Sequence, residues 1–162
     1  MGKHKCCPVP AIYDNFYGDS GDFFYALYHC SKIMLEQTIR VLIVDDHKLV
    51  RKSIEALLSR EQDMQVVGTA ENGRTAIQLA QAKEPDVIIM DVSMPELDGI
   101  RAAREIKALG VSTHIIMLSM HHSSALVQQA RLNGAAGYII KQKANSDLIP
   151  AIRAIFNGTA TL

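Results

Sequence analysis

Asp91 closes the apolar run Val87-Ile88-Ile89-Met90 and opens the string Asp91-Val92-Ser93-Met94-Pro95-Glu96-Leu97-Asp98-Gly99. A carboxylate at the mouth of a buried strand, beside a loop marked by proline and glycine, stands where open α/β sheets place their chemistry. The pair Asp45-Asp46 closes a second apolar run, and the hydroxyl of Ser119 and the amine of Lys141 close two more. Three carboxylates brought to ~5 Å at an effective dielectric of ~20 repel one another by roughly 3 kcal/mol per pair. Such a cluster takes up either a proton or a cation. Oxygen ligands at a watery mouth favour Mg²⁺ or Mn²⁺ over zinc, which prefers Cys and His. Ser119 and Lys141 then add a hydroxyl and a fixed positive charge, a combination suited to a phosphoryl group carried on Asp91. An aspartate can be the nucleophile directly, and the rest of such chemistry is positioning and charge neutralisation. Singly, each residue has a plainer role: turn and helix cap, loop cap, strand-end hydroxyl, surface charge. The joint pattern is what points to function, because each group ends a strand of its own.

The elements that must position these groups alternate regularly from about residue 38. Ile39 to Val44, Met64 to Ala70, Asp86 to Met90, His114 to Leu118 and Gly137 to Ile140 read as five strands. The first of them is nearly all apolar, as expected when both faces of a sheet are covered. Helical periodicity places helices at about His47 to Arg60, with Leu49, Val50, Ile54, Leu57 and Leu58 inward, and from the N-cap Asn72 to a stop before Pro85. Others run from Leu97 to Leu109, Ser124 to Leu132 and Asp147 to Phe156, with Gly110, Asn133-Gly134 and Asn157-Gly158 as stops. Pro150 falls in the first turn of the last helix on this reading. Right-handed crossovers put helices on both faces, giving an α/β doubly wound, five-stranded parallel sheet of order 2-1-3-4-5. The crevice lies between strands one and three, where Asp45, Asp46 and Asp91 converge.

The chain has 162 residues, an apolar fraction of 48% and equal charge counts, 17 basic and 17 acidic. That balance offers no basic face for direct nucleic-acid contact. No apolar run approaches the ~20 residues of a membrane span, and Pro8 and Pro10 interrupt any signal-peptide core. Cys6, Cys7 and Cys30 all lie in the first thirty residues, which suggests a reducing, cytoplasmic setting and no disulfide scaffold. Seven of the nine aromatics also precede residue 34. Residues 1–37 therefore read as an aromatic- and Cys-containing N-terminal extension, disordered or a non-native start, with Met34 as the alternative first residue. Residues 159–162 read as the start of a linker or tail.

The segments Val41-Leu42-Ile43-Val44-Asp45-Asp46-His47, Asp91-Val92-Ser93-Met94-Pro95 with Asp98-Gly99-Ile100, Met117-Leu118-Ser119-Met120-His121 and Gly134-Ala135-Ala136-Gly137-Tyr138-Ile139-Ile140-Lys141 resemble the receiver domain of bacterial two-component response regulators. The likeness covers residues 38–158 and is nearest to the NarL/FixJ (LuxR-type) subfamily. It implies a flavodoxin-like receiver fold, Asp91 as phosphoacceptor, and Mg²⁺ held by Asp45, Asp46, Asp91 and the backbone carbonyl of Ser93. It also implies Ser119 as the switch hydroxyl, Lys141 as the phosphate-site lysine and Tyr138 as the switch aromatic. Ser93 and His121 match positions that tune dephosphorylation. The implied partner is a sensor histidine kinase, with a homodimer left open. The chain departs from the pattern at Gln142, where many receivers have proline.

Two other readings stand beside this one. In the first, the chain is the receiver fragment of a DNA-binding transcriptional regulator, since regulators of this subfamily continue into a helix-turn-helix domain. In the second, it is an Asp-nucleophile phosphatase; such enzymes carry a second acid two residues after the nucleophile, where this chain has Ser93.

Overall fold

The computed structural model describes residues 38–159. The expected extension 1–37, with its cysteines and the alternative start at Met34, and the tail residues 160–162 lie outside the described residues. Five strands, β1 (Ile39–Val44), β2 (Met64–Ala70), β3 (Val87–Asp91), β4 (His114–Ser119) and β5 (Ala135–Ile140), alternate with five α-helices. The helices are α1 (Lys48–Leu58), α2 (Gly73–Lys83), α3 (Gly99–Ala108), α4 (Ser124–Leu132) and α5 (Ala144–Phe156), with a 3₁₀ turn at Lys141–Lys143 before the last. All strand pairs are parallel and the order is β2-β1-β3-β4-β5, as the sequence pattern requires.

Strand residues alternate between two cores. Leu42, Val44, Ile88, Met90, Ile115 and Met117 pack beneath α2 and α3, where Ala76, Ala80, Ala102 and Ala103 let the helix backbones come close to the sheet. Val41, Ile43, Ile89, Ile116 and Leu118 face Ile54 and Leu58 of α1 and Leu148, Ile152 and Ile155 of α5. Every residue of β3 is buried, so its direction and end point are set by packing on both sides. Asn72 caps α2 by accepting from the Thr75 amide at 2.9 Å, and Asp98 caps α3 by accepting from Arg101 at 2.9 Å. The stop after α4 falls at Gly134, whose φ of +91° is open to glycine at no steric cost.

Four sequence expectations change. Leu49 is 79% exposed, although it was expected inward. The buried stripe of α1 is Val50, Ile54, Leu57 and Leu58, spaced at i, i+4, i+7 and i+8, and Leu49 sits one residue off it. The last helix begins at Ala144, not Asp147, so Pro150 lies inside it, at an exposed position. β5 starts at Ala135, two residues early, and α3 starts at Gly99, because Asp98 ends the preceding loop as a cap.

α5 is tied to the loop before β2 by Arg153. Its Nε and Nη2 donate to the two carboxylate oxygens of Asp63, at 2.7 Å each, and Nη2 also reaches Glu61 at 2.5 Å. The bond from Arg153 holds the Asp63 carboxyl below its ordinary value of 3.8, against the opposing effect of burial.

The two parts of α1 should separate in a urea titration: Ile54→Ala is expected to cost about 3 kcal/mol, whereas Leu49→Ala stays within about 0.5 kcal/mol of wild type. Equal losses would place Leu49 in the core. The depressed carboxyl of Asp63 adds stability that is complete above its ordinary pKa and is lost as pH falls through its lower folded value. Arg153→Met should therefore reduce stability at neutral pH, by less than about 1 kcal/mol because the pair is solvent-screened. The gap from wild type should close on acidification below the ordinary carboxylate range; a gap independent of pH would assign the loss to packing of the arginine stem.

Candidate functional site

Parallel pairing brings the carboxyl ends of β1, β3, β4 and β5 to one edge of the sheet. Val44 pairs with Met90, so the next residues in each strand, Asp45 and Asp91, emerge side by side. Asp45 is fully buried and Asp91 is 3% exposed, while Asp46 is half-buried and His47 exposed. One ligand atom from each of Asp45, Asp46, His47 and Asp91 lies within 4.8 Å of all the others.

Lys141 supplies the counter-charge. Its amine crosses the end of β4 to reach Asp45 Oδ2 at 2.6 Å and Asp91 Oδ2 at 2.9 Å. Burial pulls its pKa down, but bonds and attraction to the two carboxylates outweigh that and raise it. The carboxyl of Asp91 is also pushed above the usual range. Burial is the main cause and the neighbouring charge of Asp45 adds to it, while Lys141 and the Ser93 amide pull the other way. One ammonium against the carboxylates of Asp45, Asp46 and Asp91 does not neutralise the cluster. The donor set, carboxylate oxygens with an excess of negative charge at an open edge, fits a hard divalent cation.

The backbone around the cluster is tightly specified. Asp45 Oδ1 accepts from the His47 amide at 2.8 Å, and the Arg51 guanidinium donates to the Asp45 carbonyl at 2.6 Å. Val92 N–H bonds Leu118 O, and Gly99 N–H bonds Val92 O. A Cβ at Gly99 would stand 2.0 Å from the Asp91 carbonyl oxygen, so only glycine lets α3 begin this close to the loop. Glu96, in the same loop, has a left-handed φ of 66°.

The remaining expected residues fall into two groups. Ser93 lies exposed at the rim, with its amide 3.4 Å from Asp91 Oδ1. Ser119 and Tyr138 are joined to each other and not to the carboxylates: the Ser119 and Tyr138 hydroxyls both donate to the His121 carbonyl, each at 3.0 Å. His121 enters through its backbone, and its side chain is exposed. The peptide bond at Gln142 is trans. Sequence reasoning missed two participants, His47 and Arg51. The adjacency of His47 to Asp45-Asp46 was a signal for the first; the bond from Arg51 to a carbonyl six residues back had none beyond helical spacing.

Known proteins share the sequence pattern and the fold of this chain. Residues 41–153 match the family model described as "Response regulator receiver domain". The chain is 33% identical over 125 residues to the transcriptional regulatory protein DegU of Brevibacillus brevis, which covers 77% of this chain and 53% of that protein. It is 38% identical over 120 residues to the response regulator UvrY of Escherichia coli K12, covering 74% of this chain and 55% of the relative. The chain thus spans about half the length of these curated relatives. Among solved structures, the signal receiver domain of NarL from Mycobacterium tuberculosis superposes with a TM-score of 0.73 at 33% identity, covering 75% of this chain and 98% of that one. With its sheet order, its acidic pocket of Asp45, Asp46 and Asp91 and these likenesses taken together, the chain belongs to the response regulator receiver domain family, as a receiver of the NarL/LuxR type.

Proposed function

We propose that Asp91 accepts a phosphoryl group from the phosphohistidine of a sensor histidine kinase and that the phosphorylated domain presents a changed surface to its partners. The observation that supports this best is the buried Asp45–Lys141–Asp91 bridge beside an under-neutralised Asp46. A carboxylate oxygen of Asp91 attacks phosphorus, the P–O bond forms as the P–N bond breaks, and the kinase histidine retains the electron pair. Lys141 already touches Asp91 and stays beside the incoming phosphoryl oxygens. Mg²⁺, or Mn²⁺ in its place, supplies charge neutralisation when bound by Asp45, Asp46, Asp91 and the Ser93 carbonyl. Ser119 then turns its hydroxyl from the His121 carbonyl to a phosphoryl oxygen, and Tyr138, which shares that carbonyl, follows as the switch aromatic. Ser93 and His121 border the path of the water that later hydrolyses the acyl phosphate.

The receiver unit is assigned to residues 38–158, with 1–37 as an extension and 159–162 as the start of a tail. Its chemistry is self-phosphorylation and self-dephosphorylation, without turnover of an external substrate. Exposed Leu49 and Met120 border a groove of 360 Å³ that reaches Lys141 and offers a delivering partner an apolar footing at the mouth of the site. Exposed Leu132 on α4 gives a second receiver a place to pair as a homodimer. No helix among the described residues is long and apolar enough to cross a membrane. The even charge balance supports a domain without direct nucleic-acid contact, and the placing of all three cysteines in the first thirty residues supports a cytoplasmic one.

Incubation with a small-molecule phosphoramidate and Mg²⁺ should add one phosphoryl group by intact mass, and chelation or Asp91→Asn should abolish it. Labelling that persists in Asp91→Asn moves the acceptor elsewhere. Ser119→Ala should still be labelled, but the Tyr138 ring signals in NMR should no longer shift on phosphorylation. An unchanged Tyr138 shift in that variant would separate the aromatic from the hydroxyl.

A further inference from the structure

The groove between α3 and α4 is not used by the chemistry proposed for Asp91, and it measures 470 Å³. Arg101 and Arg104 line its α3 side, three residues apart, so their Cβ atoms start about 5–6 Å from each other. Both residues are exposed. The Arg101 Nε reaches Asp98 Oδ2 at 3.5 Å, a contact between two solvent-screened groups. Among the described residues the ion pairs are those of His47, Arg101, Lys141 and Arg153, so Arg104 has no carboxylate partner there. One turn further along α3, Lys107 lies over the turn after α4: a Cβ at Gly134 would stand 2.5 Å from Lys107 Cγ. Its amine is already engaged, donating to the Thr113 carbonyl at 2.8 Å.

The α4 side of the groove is uncharged. It presents Gln129 and, just past the end of the helix, Asn133. The Asn133 Nδ2 donates to the Gln129 carbonyl at 2.8 Å, which leaves Oδ1 as an acceptor. Asp98 supplies a second acceptor where α3 begins. Ile100 and Leu126, both half-buried, add apolar surface between these ends. From Leu126 to Asn133 the wall is roughly 10 Å long, the span of about three extended residues.

Charge and hydrogen-bonding capacity together select the occupant. The two helices carry Arg101, Arg104, Lys107 and Arg131 against Glu105 alone, in a chain of 17 basic and 17 acidic side chains. An occupant must bring negative charge for the arginines, an apolar group for Ile100 and Leu126, and donors for Asp98 and Asn133 Oδ1. A phosphate chain or nucleic-acid backbone brings the charge but sets its own oxygens against those two acceptors. A polypeptide with carboxylate and apolar side chains meets all three demands. We propose that the α3–α4 groove is a docking site for an acidic segment of a partner protein. Its carboxylates take parallel bonds from the planar guanidiniums of Arg101 and Arg104, its backbone N–H groups donate to Asp98 and Asn133, and an apolar side chain rests on Ile100 and Leu126.

The test overlays the dye-labelled full chain on an array of short synthetic peptides of three kinds: glutamate permuted with leucine, glutamate with serine, and glutamine with leucine. Neither Mg²⁺ nor a phosphoryl donor is present, so the result does not depend on the reading of Asp91. Signal should concentrate in the glutamate–leucine peptides. The strongest of them is then titrated in solution, by fluorescence anisotropy, against wild type, the double variant Arg101→Gln/Arg104→Gln, Leu126→Ser and Arg131→Gln. Arg131 lies on α4 outside the lining of the groove and controls for charge. Affinity should fall about tenfold or more in the double variant and in Leu126→Ser, and stay within about twofold in Arg131→Gln. The backbone amide signals of Ile100, Leu126 and Asn133 should shift in NMR as the peptide is added. Glutamine–leucine peptides binding as well as glutamate–leucine ones, or no binding in any class, overturns the proposal. Equal losses in Arg131→Gln and the double variant overturn it too, in favour of diffuse attraction. Shifts of the same amides by inorganic pyrophosphate and by no peptide would make this a small-anion site and exclude the polypeptide.

Discussion

The bridge from Lys141 to Asp45 and Asp91 is the interaction on which the site depends. Removing a carboxylate from water costs several kcal/mol even after the protein relaxes, and two are buried here within reach of each other. Without a cation between them, or a proton on one of them, the strand ends could not stay dry and close. Lys141 meets part of that cost, as its own raised pKa records. It does not meet all of it: burial still holds the carboxyl of Asp91 above the ordinary range, and one ammonium faces the carboxylates of Asp45, Asp46 and Asp91. The residue is a local excess of negative charge that only a proton, a metal ion or an electron-poor phosphorus relieves. The proposed reactivity of Asp91 fits a pocket that sets three carboxylates against one ammonium.

That bridge spans strands from one side of the sheet to the other, so its length is a statement about sheet register. Asp45 follows β1, Asp91 ends β3 and Lys141 follows β5, with β4 between the last two. A shift of one residue in any pairing would turn each carboxylate to the opposite face. The register is held by buried aliphatic side chains on both faces of β1, β3 and β4, and by the close fit of Gly99 against the Asp91 carbonyl. Much of the core thus serves to keep a few oxygens and one nitrogen within about 3 Å of their partners.

These facts differ in how far they could be read without coordinates. The β strands and their order were legible because short, mostly apolar runs alternate with helical patterns between loop signals, a pattern with few topological solutions. The positions of Asp45, Asp46 and Asp91 followed from the rule that chemistry gathers at strand ends. Leu49 was misplaced because a helix of eleven residues allows two candidate stripes, and only the angle at which α1 lies on the sheet chooses between them. The early start of α5 was hidden by Pro150, which argues against a helix interior but is harmless on an exposed face. The clamp of Arg153 on Asp63 and Glu61 spans some ninety residues of sequence and leaves no local trace. Nor does spacing alone reveal that Ser119 and Tyr138 meet at one carbonyl.

That shared carbonyl limits how the proposed switch can work. Two hydroxyls donate to the His121 oxygen, and moving Ser119 to a phosphoryl group frees one of its lone pairs. A neutral hydrogen bond is worth about 1 kcal/mol net, enough to shift an equilibrium roughly fivefold. Converting a resting population of about one per cent into the dominant one takes about 5.5 kcal/mol. The exchange of one hydroxyl partner is too small for that by itself. The larger share must come from charge-assisted bonds that the phosphoryl oxygens make with Lys141 and Ser119, each roughly twice as strong as a neutral one. In the proposed switch, then, Tyr138 would report and transmit the change, while the energy would enter at Asp91.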